Sequence, residues 1–249
     1  MKHNSPKDIA ADNSSPNRKA LRPQDAATLL ILDRRNTGEP HVLMGKRHMG
    51  HKFMPGKFVF PGGRVDTSDS RIQPLTPYDP KVEEKLAKHP KNSPTAARVR
   101  AFAMAAIRET YEEAGLFIGK SQDQGPIPPL GEGFRAFEER SIVPSLAPMR
   151  FIARAITPPM RPRRYDTRFL SVWADEIADQ LPEGTGPTGE LEELQWLSLE
   201  GCKALDLPRI TLTIIEELQQ RLCIDPDLNP DTPVPFYYWR GVGFVRKEL

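Results

Sequence analysis

Three glutamates and an arginine lie close together in one short stretch of the chain, Arg108-Glu109-Thr110-Tyr111-Glu112-Glu113. On a helix, at about 100° per residue, Glu109, Glu112 and Glu113 fall within an arc of roughly 100°. Like charges at this spacing destabilise a bare helix, and Arg108, one turn before Glu112, can hold a carboxylate in place. Hard divalent cations prefer carboxylate oxygens and bridge to phosphate oxygens. The stretch therefore predicts a site for Mg²⁺ or Mn²⁺, and the alternative is a solvated acidic face.

The sequence around the glutamates predicts the helix that must position them. Residues 96–114 are mostly good helix formers, and Gly115 follows where a C-terminal cap is expected. Ser93 can cap the other end, with Pro94 at the first helical position. We therefore expect the glutamates in the last turns of a helix that begins near residue 94.

Apolar runs elsewhere in the chain supply the remaining elements. Strands are predicted at residues 26–32, 41–44, 57–60, 149–156, 168–174 and 191–197. An amphipathic helix is predicted at 207–222. Because strands and helices mix without regular βαβ alternation, we expect an α/β fold, with helices packed around a mixed sheet.

The chain divides into three parts by composition. Residues 1–22 are polar and are expected to form a disordered tail. Residues 23–225 form one domain, which contains a polar, turn-rich insertion at about 70–92 that we expect on the surface and without metal ligands. Residues 226–249 form a C-terminal segment with prolines and aromatic side chains.

Charge and cysteine content narrow the class of protein. A formal net charge of +2 over 249 residues does not favour a nucleic-acid or membrane partner. The two cysteines are far apart, no run of 18 apolar residues occurs, and the N-terminus lacks the apolar core of a secretory signal. We therefore expect a cytoplasmic protein without a structural disulfide. A homodimer is compatible with the sequence.

The glutamate stretch resembles the Nudix family, whose box runs G-x5-E-x7-R-E-U-x-E-E-x-G-U with U apolar. The second half of the box fits in register from Arg108 to Leu116, with Thr110 at the first U. Phe60-Pro61-Gly62-Gly63 matches the entry turn of the family, and Asp69 stands where the first glutamate is expected. Arg108 follows Asp69 by 39 residues instead of 8, so the box contains an insertion of 31 residues. Such an insertion resembles the subgroup that includes peroxisomal coenzyme A diphosphatases.

This resemblance implies a Nudix-like α/β/α sandwich around a mixed β-sheet and assigns roles to residues. It implies Glu109 and Glu113 as metal ligands, with Glu112 sharing the metal site or orienting a water. The resemblance also implies the carbonyl of Gly63 as a further metal ligand and Arg108 as a member of the catalytic set. The family often takes a general base from an acidic region after the box, here Glu190, Glu192 and Glu193, of which Glu190 is our candidate. The implied reaction is attack of a metal-activated water on one phosphorus of a diphosphate.

The substrate is predicted from two basic stretches. Residues 43–63 resemble the coenzyme A variant signature L-L-T-x-R-[SA]-x3-R-x3-G-x3-F-P-G-G, in which Arg47 and Lys52 could clamp phosphate oxygens. Arg163 and Arg164, in an arginine cluster at 161–168, could bind the 3′-phosphate of coenzyme A. The alternative for each stretch is ordinary surface charge, which the sequence favours for the arginine cluster.

We therefore expect a small, nucleotide-derived substrate. Coenzyme A or an acyl derivative is the first prediction, and ADP-ribose or NADH is the alternative. A binding or regulatory module that kept the fold and lost the chemistry is the alternative from another class.

Overall fold

The structure is a computed structural model that describes residues 21–34, 39–50, 55–88, 94–122 and 125–249. The strands are β1 (Gln24–Asp33), β2 (His41–Arg47), β3 (Phe58–Val59), β4 (Gly62–Arg64), β5 (Leu116–Ile118), β6 (Lys120–Ser121), β7 (Ile142–Val143), β8 (Arg150–Ile156), β9 (Tyr165–Trp173), β10 (Ile177–Gln180), β11 (Leu191–Ser198), β12 (Pro235–Arg240) and β13 (Gly243–Glu248). The helices are α1 (Pro80–Ala87), α2 (Ala96–Ala114), α3 (Arg135–Glu139), α4 (Leu199–Cys202) and α5 (Arg209–Ile224). Short 3-10 helices lie at Ser68–Arg71, Glu132–Phe134 and Ala174–Glu176.

One large mixed sheet organises the domain. Its strand order is β11-β2-β1-β9-β8-β12-β13, with β3 paired to β2 and β4 paired to β1. The β1–β9 and β8–β12 pairs are parallel, whereas the other pairs in this sheet are antiparallel. The β1–β4 pairing sets Gly63 opposite Ala27 and Gly62 opposite Thr28. This register fixes the glycine turn at the centre of the sheet.

Successive apolar residues of β1 point to opposite faces of the sheet, and both faces are covered. Leu29 and Ile31 face a core with α1 and α2, whereas Leu30 and Leu32 face a second core with α5. The apolar run in β1 thus has partners on both sides, as expected for a strand buried on both faces. The predicted α/β/α sandwich around a mixed sheet is confirmed. Among the described residues, no helix combines the length and apolar character that crossing a membrane requires.

Helix α2 ends as predicted but begins later. Gly115 adopts φ 69°, and its N–H donates to the carbonyl of Tyr111, which closes the helix with a left-handed cap. At the other end the side chain of Thr95 accepts a hydrogen bond from the N–H of Arg98. The predicted start, with Pro94 as the first helical residue, is therefore wrong, and Ser93 lies outside the described residues.

The predicted surface insertion at 70–92 contributes to the core. Ile72, Tyr78, Val82 and Leu86 are buried in the cluster that also contains the apolar face of α2. The hydroxyl of Tyr78 accepts a hydrogen bond from the N–H of Ala103 at 3.0 Å. The prediction that this segment is too polar for the core is wrong, because its few apolar residues are spaced to face α2.

The C-terminal segment extends the same sheet as the domain. Strand β12 pairs with β8 through Phe236 and Tyr237, and β13 pairs with β12. The buried side chain of Lys85 donates to the carbonyls of Pro230 and Thr232, which ties α1 to the approach to β12. The predicted boundary at residue 225 therefore falls between α5 and two strands of the main sheet.

Candidate functional site

The carboxylates of α2 lie against the glycine turn of β4. The N–H of Gly62 donates to a carboxylate oxygen of Glu113 at 2.9 Å. A Cβ atom at Gly63 would lie 2.4 Å from the carboxylate carbon of Glu109, closer than any real contact. Glycine at this position therefore lets the Glu109 carboxylate approach the backbone of β4, which α2 and β1 hold in place.

Arg47 lies between two carboxylates that come from different elements. Its guanidinium nitrogens lie 3.8 Å from Oε1 of Glu113 and 3.7 Å from Oε2 of Glu190. Arg47 ends β2 and pairs with Leu191, the residue after Glu190, so the β2–β11 register brings the two side chains together. The structure thus places Arg47 and Glu190, both predicted site residues, beside the α2 carboxylates.

Arg108 occupies the centre of a buried ionic network. Its guanidinium donates twice to Asp69, at 3.0 and 3.2 Å, and also to Glu109 at 2.8 Å and Glu112 at 3.2 Å. It further donates to the carbonyl of Arg64 at 3.0 Å. This confirms the predicted contact between Arg108 and Glu112. It also shows that Asp69, buried at 1% exposure, anchors the arginine through a bidentate pair.

Burial raises the pKa of the two inner carboxyls. Burial, partly opposed by the Gly62 N–H and Arg47, raises the pKa of Glu113 to about 8, and the neighbouring Glu109 and Glu190 carboxylates add to the shift. Burial raises the pKa of Glu109 to about 6, against the opposing effect of Arg108. The side chain of Glu113 is only 3% exposed, so Glu113 does not belong to a solvated acidic face, the alternative that the sequence left open. The reason is that β4 and Arg47 cover this face of α2.

A loop at residues 185–188 closes over the C-terminus of α2. The N–H of Gly186 donates to the carbonyl of Glu113 at 3.1 Å. Thr188 donates to the carbonyl of Glu112 twice, from its N–H at 3.1 Å and its hydroxyl at 2.7 Å. These donors satisfy carbonyls that a helix end leaves without partners and fix the segment that leads to Glu190.

The donor set fits a hard divalent cation. Glu109 and Glu113 provide carboxylate oxygens next to the backbone of Gly63, where the missing Cβ leaves room for close approach. Among the described residues, no group of three or more His, Cys, Asp and Glu side chains is arranged as a ready-made metal cage. This is compatible with Mg²⁺, which keeps several waters and takes only one or two carboxylates from the protein.

Other predicted residues lie elsewhere. Lys52 is outside the described residues. Arg163 is exposed and makes no hydrogen bond or ion pair with any residue that the structure describes. Arg164 donates to the carbonyls of Thr157 and Leu21 and lines a groove near the C-terminal strands, not the glutamate site. The structure therefore does not bring Arg163 and Arg164 together with Glu109 and Glu113.

The sequence did not reveal the contacts that backbone atoms make in the site. These contacts depend on pairings between distant segments of the chain. They are made by the Gly62 N–H, the Arg64 carbonyl and the N–H and hydroxyl of Thr188. The one signal in the sequence was the glycine- and threonine-rich run Gly184–Gly189, which is typical of a turn but does not specify what the turn contacts.

The comparisons with known proteins agree with this geometry. No protein-family model matches the chain. The chain is 28% identical over 170 residues to nudix hydrolase 7 of Caenorhabditis elegans, a match that covers 65% of this chain and 48% of that protein. It is 31% identical over 100 residues to an acyl-coenzyme A diphosphatase of Xenopus laevis, which covers 33% of this chain and 26% of that protein. The matches thus span about half or less of the length of these relatives.

A solved structure provides the fold comparison. The crystal structure of a NUDIX hydrolase from Alicyclobacillus acidocaldarius superposes with a TM-score of 0.59 at 24% identity, over 78% of this chain and 90% of that one. At this identity the likeness concerns the fold. The chain therefore has the fold of the Nudix hydrolases, and the relatives that it matches in sequence are Nudix hydrolases.

Proposed function

We propose that this protein is a metal-dependent hydrolase that cleaves the pyrophosphate bond of a nucleoside diphosphate linked to another moiety. The observation that carries the proposal is the placement of the Glu109 and Glu113 carboxylates against the Gly62–Gly63 turn, with Arg47 and Glu190 beside them. Two desolvated carboxylates of like charge are stabilised by a cation. A diphosphate carries the oxygens that such a cation bridges.

Different residues of this chain would bind the metal ion and activate the water. Glu109, Glu113 and the carbonyl of Gly63 would bind Mg²⁺ or Mn²⁺, with Glu112 sharing the site or orienting a water. The ion, when bound, supplies charge neutralisation and lowers the pKa of a bound water. Glu190 is the proposed general base, since it lies within reach of the same arginine as Glu113.

Two arginines would assist the reaction, one by presenting its charge to the substrate and the other by orienting carboxylates. Arg47 presents a guanidinium beside the carboxylates, where it can also donate to a phosphate oxygen of the substrate. Arg108 orients Glu109 and Glu112 through direct hydrogen bonds, and its own position is fixed by Asp69. Asp69, which stands where the box has its first glutamate, is thus the anchor of the arginine in this chain.

Coenzyme A or an acyl derivative is the proposed substrate. The Xenopus laevis relative is named an acyl-coenzyme A diphosphatase, and the segment from Leu43 to Gly63 resembles the coenzyme A signature. ADP-ribose or NADH is the alternative substrate, because the residue roles proposed above concern only the diphosphate, which these compounds share with coenzyme A. The remaining alternative is a binding module without turnover.

A substrate panel with added Mn²⁺ tests the proposal. We expect the wild-type protein to hydrolyse coenzyme A, and we expect Arg47→Ala to lower kcat/KM for coenzyme A roughly ten- to a hundredfold, since a charge-assisted contact is worth about 1.5–3 kcal/mol. Arg163→Ala plus Arg164→Ala should leave kcat/KM unchanged, because the structure does not bring these arginines together with Glu109 and Glu113. Arg135→Ala, which removes an exposed arginine on α3, serves as the control.

Each alternative predicts a different outcome. A higher kcat/KM for ADP-ribose or NADH than for coenzyme A would make that compound the substrate. A protein that binds Mn²⁺ and nucleotides but hydrolyses none of the panel would be a binding module, and the proposal of hydrolysis would be wrong.

A further inference from the structure

A groove of about 940 Å³ lies toward the opposite end of the sheet from β11. We name it the hairpin groove and define it by Lys88, Arg154, Arg164, Phe236, Tyr238 and Lys247. It includes neither Glu109 nor Glu113. Strands β9 and β8 lie between two other strands of the sheet. One is β1, which pairs with the glycine turn of β4, and the other is β12, which forms one wall of the groove. At about 4.8 Å between neighbouring strands, β12 is roughly 14 Å from β1.

The wall of the groove offers an aromatic surface. The rings of Phe236 and Tyr238 lie 5.0 Å apart at 32°, and both belong to β12. Phe236 is buried, and the guanidinium of Arg154 lies 4.6 Å from the centre of its ring. Tyr238 is only half-buried. A half-buried ring that is supported by a packed ring is a surface on which a planar base can stack.

The groove has a surplus of positive charge after its internal pairs are formed. Glu84 pairs with Lys88 at 3.8 Å, and Glu248 pairs with Arg246 at 3.1 Å. Arg154 forms a two-point ion pair with Asp166 at 2.6 and 2.8 Å, and it also donates to the carbonyl of Lys88 at 2.9 Å. Lys247 and Arg164 have no carboxylate partner among the residues that the structure describes. These two cations give the groove a preference for an anionic ligand.

Arg164 is already held in one orientation. Its Nε donates to the carbonyl of Thr157 at 3.0 Å, and its Nη1 donates to the carbonyl of Leu21. Within the described part of the chain, Nη2 makes no hydrogen bond. A guanidinium that is fixed by two backbone carbonyls loses little conformational entropy when it binds a phosphate through its remaining N–H groups.

We propose that the hairpin groove binds a nucleoside monophosphate, with the base against Tyr238 and the phosphate at Arg164 and Lys247. The aromatic wall and the two cations match the two chemical parts of such a molecule, and neither part alone uses both features. This site is separate from the glutamate site and does not depend on the proposed hydrolysis.

Calorimetric titration with adenosine 5′-monophosphate tests the proposal, with EDTA present so that no divalent metal contributes. We expect binding at one site that is at least tenfold tighter than binding of adenosine or of inorganic phosphate. Lys247→Ala should weaken binding by about tenfold, as the loss of a charge-assisted contact predicts. Tyr238→Ala should weaken it similarly, whereas Tyr238→Phe should retain it because the ring remains. Arg135→Ala, outside the groove, should bind as the wild type does.

Three results would overturn the proposal. The first is that the monophosphate binds no better than adenosine and phosphate. The second is that Lys247→Ala and Tyr238→Ala, shown by circular dichroism to be folded, bind like the wild type while Glu113→Gln does not, which would place the ligand at the glutamates. The third is that Lys247→Ala raises KM for coenzyme A by about tenfold, which would make the groove part of the substrate site.

Discussion

Glu113→Gln changes both the stability and the chemistry of the site, and the structure predicts the two effects separately. The carboxyl of Glu113 is buried, and its pKa rises from 4.5 to about 8. A group whose folded pKa is raised binds more protons in the folded state, so the free energy of unfolding falls as pH rises from about 4.5 to about 8. At about 1.4 kcal/mol per pKa unit, the shift corresponds to an upper limit of about 5 kcal/mol.

Glutamine keeps the shape of the side chain and can still accept the N–H of Gly62, but it never ionises. In EDTA we therefore expect the variant to be more stable than the wild type at about pH 9, by roughly 2–4 kcal/mol, and the difference to vanish near about pH 4, below the ordinary pKa of 4.5. Urea unfolding followed by tryptophan fluorescence at both pH values measures it. Glu216→Gln, which changes an exposed glutamate on α5, serves as the control and should have the stability of the wild type at both pH values.

Metal binding and hydrolysis are two further measurements on Glu113→Gln. Added Mn²⁺ should raise the melting temperature of the wild type and leave that of Glu113→Gln unchanged. Hydrolysis by the variant should fall by several orders of magnitude. If the variant keeps more than about a tenth of the wild-type activity, Glu113 is not a metal ligand. If wild type and variant lose stability in parallel between the two pH values, the buried charge of Glu113 is not the cause of the pH dependence.

Three further changes test other contacts of the site. Gly63→Ala places a Cβ 2.4 Å from the Glu109 carboxylate carbon, so we expect a folded protein whose affinity for Mn²⁺, measured by calorimetry, falls at least tenfold; unchanged affinity would remove Gly63 from the site. Asp69→Ala leaves Arg108 buried without its main partner, so urea unfolding should show a loss of about 3–5 kcal/mol, and a loss below about 1 kcal/mol would contradict the anchoring role. Replacing residues 70–92 with a Gly/Ser linker should preserve Mn²⁺ binding in any protein that folds. The replacement should lower the melting temperature, because four core side chains are lost. A folded variant without Mn²⁺ binding would show that the segment supports the metal site.

The sequence predicted the parts of the fold that local patterns encode. The helix that ends at Gly115 and the central strand at 26–32 were found because each has a periodic or continuous apolar pattern and a clear end. The insertion was misjudged because Tyr78 and Leu86 are isolated among polar residues, and only the opposing face of α2 shows that they are buried.

The candidate site was predictable only where one short motif contains its residues. Arg108 and the three glutamates lie in a single stretch, so helix geometry alone brings them together. The burial of Glu113 was not predictable, because it depends on β4 and Arg47, which lie more than 40 positions earlier in the chain. Arg164 was grouped with the site by its charge, whereas backbone carbonyls hold it in the hairpin groove.

The clamp formed by Gly186 and Thr188 restricts how the protein can be re-engineered. A Cβ at position 186 would lie 2.2 Å from the carbonyl oxygen of Glu112, so even alanine there would push the loop away from α2. A library that varies the length or composition of residues 185–188 would therefore alter the distance between Glu190 and the α2 carboxylates in every member. Residues 125–129, which lie in an exposed, proline-containing stretch on another part of the chain, provide a site where insertions leave that distance unchanged.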